Sequence, residues 1–198
     1  MRRVFLLSPA KVNGVRARLL LNPGAPFALA REFRAQGLPL ADIFTFASGL
    51  YFRGKITYAR RFIRTGEVIR VITTNAGLLD PLTHFTPEGL QKFGEVDISE
   101  DDPRYHKPLR RDAETIARRL ARDGVAILLG SIATAKYRDV LLDVFGPRLV
   151  FPSDFIGRGD MSRGGLMLRA VRAGTELPYI SVHGAIFTGK RAPRIADM

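Results

Sequence analysis

The stretch FPSDFIGRGDMSRGGL, residues Phe151–Leu166, links a short apolar segment to a segment with helical spacing. Arg148–Phe151 has the apolar character of a buried strand, and from Leu166 onward apolar residues recur at helical intervals. Between them lie four glycines, two aspartates and two arginines. Open α/β folds bind ligands where a loop leaves a strand and enters a helix. The stretch therefore predicts a functional site. The alternative is a tight structural loop that caps the helix and whose charged side chains are solvated.

Strand and helix signals alternate along the rest of the chain. The predicted strands are short β-branched or leucine-rich runs at Val4–Leu7, Val68–Ile72, Val125–Leu129, Arg148–Phe151 and Tyr179–Val182. Helical spacing predicts helices at Pro26–Gln36, Tyr58–Ile63, Leu109–Arg122 and Ile132–Val144, near Glu88, and from the quoted stretch to Arg172. The alternation predicts an α/β fold with a mostly parallel sheet, in a single domain over 1–198 with a basic tail at 189–198.

Three segments have less regular patterns. Leu40–Phe46 is apolar and fits either a strand or a helix. Ser48–Lys55 is predicted to be a glycine-punctuated turn that carries two aromatic and two cationic residues. Leu78–Arg104 is rich in turn residues and contains an acidic run, so we expect an irregular excursion within the same domain.

Composition limits the chemistry. The 198 residues contain no cysteine and three widely separated histidines, which excludes disulfides and a cysteine nucleophile and disfavours a zinc site. No apolar run approaches the ~20 residues that span a bilayer, and the start of the chain lacks a signal-peptide pattern. We expect a cytoplasmic monomer with no membrane partner, no metal and no organic cofactor.

The charge is strongly positive. Thirty-one lysines and arginines against nineteen acidic residues give a net charge of +12. Such a balance indicates a polyanionic partner, and the planar fork of arginine suits phosphate. We therefore predict that the partner is DNA. The alternative is that a GC-rich genome has raised the arginine content.

Four loops are predicted to meet at one edge of the sheet. Each follows a predicted strand and carries small or polar residues, at Ser8–Lys11, Thr74–Gly77, Gly130–Thr134 and Pro152–Ser153. The carboxyl ends of parallel strands face the same edge, and ligands of open α/β folds bind there. Together the four loops predict a pocket.

The order of these motifs resembles that of the uracil-DNA glycosylase superfamily. The strand that closes on Asn75, the run LLGSIATAK at Leu128–Lys136, and Phe151–Ser153 followed by Arg158 are similar to the motifs of that family. The resemblance implies a three-layer sandwich with a mostly parallel central sheet. It also implies a DNA glycosylase that flips a damaged or modified base out of DNA and excises it with water.

Two departures mark the chain as a divergent member of that superfamily. Ser8 stands where the family often has a carboxylate or amide beside its proline, and Phe151 stands where it has a histidine. The catalytic groups must therefore differ or be absent. The missing histidine argues against simply assuming that the base is uracil, and the glycine-rich rim leaves room for something bulkier, such as a modified pyrimidine.

A second resemblance lies mostly in the first half of the chain. Leu6–Lys11, Gly49–Tyr51 and Gly77–Pro81 are similar to segments of the YaaA peroxide-stress family, a group of DNA-binding proteins. This resemblance implies an alternative, a non-catalytic DNA-binding stress-response protein. A nucleotide-processing enzyme whose glycine-rich loop holds a phosphate is a further alternative.

Base excision requires groups that stabilise a sugar cation, hold the base and grip the DNA strand. For the chemistry we predict Asp154, Asp160 and Ser8; capping or ion pairing is the alternative for the two aspartates. The predicted base pocket consists of an amide, two aromatic rings and a proline: Asn75, Phe46, Tyr51 and Pro9. The predicted contacts to the DNA backbone are cations and hydroxyls: Lys11, Arg53, Lys55, Ser131, Lys136, Ser153, Arg158 and Arg163.

Overall fold

The central sheet contains six of the eight strands that the described residues form. The structure, a computed structural model, describes residues 1–99, 101–133 and 135–185. The basic tail predicted at 189–198 lies outside the described residues. No described helix is long and apolar enough to cross a membrane.

Strands and helices are numbered here in chain order. The strands are β1 (Arg3–Leu7), β2 (Leu38–Pro39), β3 (Val68–Ile72), β4 (Leu78–Leu79), β5 (His84–Phe85), β6 (Val125–Leu129), β7 (Leu149–Pro152) and β8 (Tyr179–Ser181). The α-helices are α1 (Val15–Leu21), α2 (Ala28–Gln36), α3 (Leu40–Ser48), α4 (Leu50–Phe62), α5 (Pro87–Gly94), α6 (Pro103–Arg119), α7 (Ala135–Phe145) and α8 (Asp160–Ala173). Short 3₁₀ turns at Gly146–Arg148 and Ser153–Phe155 flank β7.

The sheet is mostly parallel, as predicted. Its strand order is β4-β3-β1-β6-β7-β8, and the four inner strands β3, β1, β6 and β7 run parallel. The short strands β4 and β8 pair antiparallel at the two edges. The strands β2 and β5 form a separate antiparallel pair.

The sheet is covered on both faces at its centre. Val4–Leu7 in β1 are all fully buried, although successive side chains of a strand point to opposite faces. Ala126–Leu129 in β6 are fully buried in the same way. Parallel strands that read as continuous apolar runs are typical of sheets with helices on both faces. The arrangement is compatible with a three-layer sandwich.

The chain reverses direction across the sheet between β1 and β6. It passes from β1 to β3 on one side, and then returns past β1 to form β6 on the other side. In open α/β sheets such a topological switch point leaves a crevice outside the carboxyl ends of the two strands, where ligands bind. The strand order alone therefore predicts a cleft at the carboxyl ends of β1 and β6.

The segment predicted to be a turn, Ser48–Lys55, is helical. Ser48 ends α3, Gly49 adopts a positive φ of 60°, and α4 begins at Leu50. The glycines serve helix packing here: a Cβ on Gly54 of α4 would lie 2.8 Å from the carbonyl oxygen of Gly164 in α8. The two helices approach so closely that a side chain at either glycine would collide with the other backbone.

The quoted loop is shorter than the sequence suggested, because Gly164 lies inside α8, which begins at Asp160. Leu40–Phe46 proves to be part of the helix α3, and the helix α1 was not predicted. The helix α6 begins at Pro103, six residues before the predicted start, because the Asp102 carboxylate accepts a hydrogen bond from the Arg104 N–H at 2.9 Å and caps it.

A partly buried polar cluster surrounds Arg3 at the amino end of β1. The Arg3 guanidinium donates to the carboxylates of Glu67 at 2.8 Å and Glu176 at 2.6 Å. The Tyr179 hydroxyl donates to Glu176 and lies 2.7 Å from the Tyr58 hydroxyl. This cluster lies at the opposite end of β1 from the cleft, so it supports the sheet without taking part in the site.

Candidate functional site

A cleft of about 790 Å³ opens at the carboxyl edge of the sheet, at the switch point. Its lining residues come from the loops after β1, β3 and β6, from α3, α4, α5, α7 and α8, and from the segment after α5: Ser8, Pro9, Ala10, Lys11, Val12, Asn13, Ser48, Tyr51, Thr74, Phe93, Gly94, Val96, Asp97, Ile98, Ser131, Lys136, Tyr137 and Asp160. The volume falls within the range of about 300–1,000 Å³ that is typical of ligand pockets.

Three of the four predicted loops meet in this cleft. Ser8–Lys11 after β1, Thr74 after β3 and Ser131 after β6 all contribute to its lining. The fourth loop does not: the Ser153 N–H donates to the Pro178 carbonyl at 3.0 Å, which ties that loop to the segment before β8. The helix α8 supplies Asp160 in its place.

The floor of the cleft contains a buried lysine. Lys55 is fully buried in α4, and its Nζ donates to the Ser8 carbonyl oxygen at 2.7 Å and to the Ser8 Oγ at 2.8 Å. The ring of Tyr51 lies 4.1 Å from the same nitrogen. Lys55 was predicted to contact the DNA backbone, and this prediction is wrong because its ammonium is sealed beneath Ser8.

Burial lowers the pKa of Lys55 from 10.5 to about 7. The negative charge of Asp160 opposes this shift, and the positive charge of Arg163 adds to it. Removing an amine from water disfavours its charged form. No carboxylate of the described residues lies within ion-pairing distance of Lys55 to stabilise the protonated amine. Near neutral pH the amine therefore exchanges readily between its protonated and neutral forms.

Two tyrosines complete the polar floor. Burial raises the pKa of Tyr137, while a hydrogen bond with Ser8 lowers it. A Cβ on Gly130 would lie 2.9 Å from both the Tyr137 hydroxyl and the Ser8 Cβ, so only glycine fits between them. The buried Tyr51 hydroxyl, which lines the cleft near Arg163, has no well-oriented hydrogen-bond partner among the described residues.

The first turn of α8 brings opposite charges to the cleft. The Arg163 guanidinium is buried and donates to the Phe155 carbonyl at 3.3 Å and to the Asp160 carboxylate at 3.4 Å. Asp160 keeps 64% of its side-chain surface exposed. Arg163 therefore orients the Asp160 carboxylate from the buried side. The contact to the DNA backbone predicted for Arg163 is wrong because its guanidinium is buried.

The structure separates the predicted catalytic residues. Ser8 and Asp160 line the cleft, whereas Asp154 is exposed and outside it. The Asp154 carbonyl accepts a hydrogen bond from the Arg158 side chain at 2.9 Å, within the loop itself. The catalytic role predicted for Asp154 therefore finds no support in the cleft, since no residue of its helical turn, Ser153–Phe155, belongs to the lining.

The predicted base pocket is also revised. Tyr51 and Pro9 line the cleft, but Asn75 and Phe46 do not. The Asn75 amide donates to the Lys92 carbonyl at 2.8 Å and so caps a neighbouring helix turn. The ring of Phe46 stacks on that of Phe27 with centroids 5.4 Å apart.

Of the remaining predicted backbone contacts, Lys11, Lys136 and Ser131 lie at the cleft. Arg53 is exposed on α4 outside the lining, and Ser153 and Arg158 belong to the loop after β7.

Among the lining residues that sequence reasoning missed, Asp97 and Tyr137 carry ionisable side chains. Asp97 follows α5 in the segment expected to be irregular, and no periodicity indicates where such a segment crosses the sheet edge. Tyr137 lies at the start of α7 and has no motif around it. A signal for Lys55 was present: it shares the apolar face of a helix with Tyr51, Ile56 and Tyr58, a spacing typical of burial.

Comparisons with protein-family models, with curated proteins and with solved structures found no match to this chain. Among the described residues, no group of three or more histidines, aspartates and glutamates is arranged to hold a metal ion. The residues that line the cleft are therefore the main indication of function.

Proposed function

We propose that the protein binds DNA across the cleft and hydrolyses the N-glycosidic bond of a base turned out of the strand. The observation that carries the proposal is the position of Asp160. Its partly exposed carboxylate lines a cleft at the topological switch point, and the chain around it carries a net charge of +12. The resemblance of the motif order to the uracil-DNA glycosylase superfamily supports the same reaction.

The chemistry assigned to Asp160 follows from the charges that develop in the reaction. As the bond between base and sugar breaks, the sugar becomes positive and the departing base negative. The Asp160 carboxylate stabilises the sugar cation or activates the attacking water. Asp97, the second carboxylate of the lining, is a candidate for the other of these two roles.

The rim of the cleft supports DNA as the partner. Lys11 and Lys136 are both exposed, and both line the cleft. When such cations neutralise DNA phosphates, the affinity for DNA falls as the salt concentration rises. The slope of log K against log salt concentration is about −0.9 for each phosphate contact. The ring of Tyr51, on the cleft wall, is the surface assigned to stack on the flipped base.

The test uses duplexes that each contain one uracil or one modified pyrimidine. Wild-type protein should release the base, detected as strand cleavage after alkali treatment. Asp160→Asn should lose release while keeping DNA affinity. Asp154→Asn is the matched comparison, because Asp154 lies on the same loop but outside the cleft, and it should remain active.

The other outcomes identify the alternatives. DNA binding without release across all duplexes would contradict the proposal and favour a non-catalytic DNA-binding protein. Tight binding of a free mononucleotide with little affinity for DNA would contradict it in favour of a nucleotide-processing enzyme. Loss of release in Asp154→Asn but not in Asp160→Asn would contradict the assignment of the carboxylate.

A further inference from the structure

A serine hydroxyl and a buried amine are in contact at the cleft floor, with the Lys55 Nζ 2.8 Å from the Ser8 Oγ. Ser8 lines the cleft, and Lys55 lies directly behind it. We propose that Ser8 is a nucleophile activated by Lys55, and that the cleft hydrolyses small carboxylic esters through an acyl-Ser8 intermediate. This activity goes beyond base excision and does not depend on it.

The hydrogen bonds around Lys55 fit its neutral form. A neutral amine has two N–H groups and one lone pair. The protonated amine donates to both the Ser8 carbonyl, at 2.7 Å, and the Ser8 Oγ, at 2.8 Å. When the amine is neutral, one N–H still reaches the carbonyl, and the 2.8 Å contact reverses so that the lone pair accepts the Ser8 hydroxyl proton. Serine becomes a nucleophile when an adjacent base takes its proton, and serine–lysine pairs are a known form of this arrangement.

The surroundings fix the Ser8 side chain. The Tyr137 hydroxyl hydrogen-bonds to Ser8 from α7, and Gly130 leaves room for this contact only because it has no Cβ. Ser8 also follows β1 directly, and its N–H donates to the Leu129 carbonyl of β6 at 3.1 Å. The hydroxyl is thus positioned by rigid elements on both sides, which is what a preorganised nucleophile requires.

A donor for the developing oxyanion is also available. The Tyr51 hydroxyl is buried in the cleft wall without a well-oriented hydrogen-bond partner among the described residues. Arg163 lies beside this hydroxyl as a hydrogen-bond donor, which leaves the phenolic proton free to be donated to a ligand oxygen. Tyrosine hydroxyls are among the donors that stabilise tetrahedral intermediates.

The reaction balances without a cofactor. The Ser8 Oγ forms a bond to the ester carbonyl carbon as its proton moves to the neutral Lys55 amine. The tetrahedral intermediate collapses, the bond to the alcohol oxygen breaks, and the Lys55 ammonium protonates the departing alcohol. Water then attacks the acyl-Ser8 carbonyl, gives its proton to Lys55, and releases the carboxylic acid as Ser8 recovers its proton.

The reaction requires neutral Lys55, so its rate should rise with pH. Burial brings the pKa of Lys55 to about 7. The charged and titratable groups that face it are Asp160 and Arg163 from α8 and Tyr51 from its own helix, with Tyr137 of α7 reaching it through Ser8. The midpoint of the rate should therefore lie near pH 7, well below that of an exposed lysine.

The experiment treats the full chain, without DNA, with a fluorophosphonate probe that labels activated serines, and follows the labelling by intact mass and peptide mapping. Wild type should gain one adduct, on Ser8, with a labelling rate that rises through about pH 7. Ser8→Ala should not be labelled, and Ser181→Ala, whose serine lies on the edge strand β8, should be labelled like wild type.

Lys55→Met should lower the labelling rate by about 10²- to 10⁴-fold, the usual contribution of a positioned general base. Hydrolysis of 4-nitrophenyl acetate by wild type, with an initial burst that Ser8→Ala abolishes, would support the inference. Absence of labelling at about pH 8, an adduct on another serine, or equal labelling of Lys55→Met would overturn it. Because no DNA is present, this result and that of the base-release assay are independent of each other.

Discussion

Replacing Lys55 with methionine should change the pH dependence of stability in a way that no surface substitution would. The pKa of Lys55 falls from 10.5 in the unfolded chain to about 7 in the buried site. A difference of this size corresponds to about 5 kcal/mol, at about 1.4 kcal/mol per pH unit. Between these two pKa values the unfolded chain binds a proton that the folded chain lacks. Wild-type stability therefore rises with pH across that window, and the methionine variant lacks this rise.

The lost hydrogen bonds to Ser8 oppose the gain from removing the amine. Leaving the Ser8 carbonyl and hydroxyl without their partner costs about 1–3 kcal/mol. At pH 7 the variant should therefore be about 2–4 kcal/mol more stable than wild type, since the amine no longer has to lose its proton or its solvation. Near the upper end of the window it should be about 1–3 kcal/mol less stable, because only the lost hydrogen bonds remain.

Urea unfolding of both proteins between about pH 6 and about pH 10 measures this difference directly. Lys92→Met is the matched control, since Lys92 is exposed on α5. It should shift stability by less than about 0.5 kcal/mol, equally at every pH. Parallel stability curves for wild type and Lys55→Met would refute the reasoning, because they would mean that Lys55 keeps its proton in the fold.

Three further predictions address the neighbouring contacts. Gly130→Ala places a methyl group 2.9 Å from the Tyr137 hydroxyl, so we expect about 1–3 kcal/mol of destabilisation in thermal unfolding, and wild-type stability would contradict it. Burial raises the pKa of Glu67, but the hydrogen bonds from the Arg3 side chain and the Arg64 N–H, with the positive charges of both arginines, together outweigh this and hold the pKa below 4.5. Glu67→Gln should therefore cost about 2 kcal/mol at neutral pH, and the difference from wild type should shrink as the pH falls through that lowered pKa; a constant difference would contradict it. Lys11→Ala should reduce the slope of log DNA affinity against log salt by about 1, and an unchanged slope would remove Lys11 from the DNA contact.

The sequence predicted the sheet well because its strands are short, continuous apolar runs. β3 and β6 have the bounds that their β-branched and leucine-rich residues indicated. The helix α4 was missed in part because Gly49 and Gly54 look like turn residues. Gly54 in fact allows a backbone contact between α4 and α8, which depends on a residue more than a hundred positions away and has no local signature. Gly49 supplies the positive φ between α3 and α4.

The site was predicted in outline, since strand ends converge by topology. Ser8, Pro9 and Asp160 line the cleft because each follows a strand or begins a helix at the carboxyl edge, and the roles assigned to them stay predictions. Lys55 was assigned to the surface because lysine is almost always exposed. Only tertiary packing determines that its amine lies beneath Ser8.

The most direct test of the account is to locate where DNA contacts the protein. A ¹⁵N-labelled sample is titrated with a duplex that contains one abasic-site analogue, and the backbone amide shifts are mapped. The account predicts that the largest shifts fall on Ser8–Lys11, Thr74, Ser131 and Asp160, the elements of the cleft. Shifts confined to the exposed arginines Arg111, Arg118 and Arg119 of α6, with the cleft amides unchanged, would contradict it.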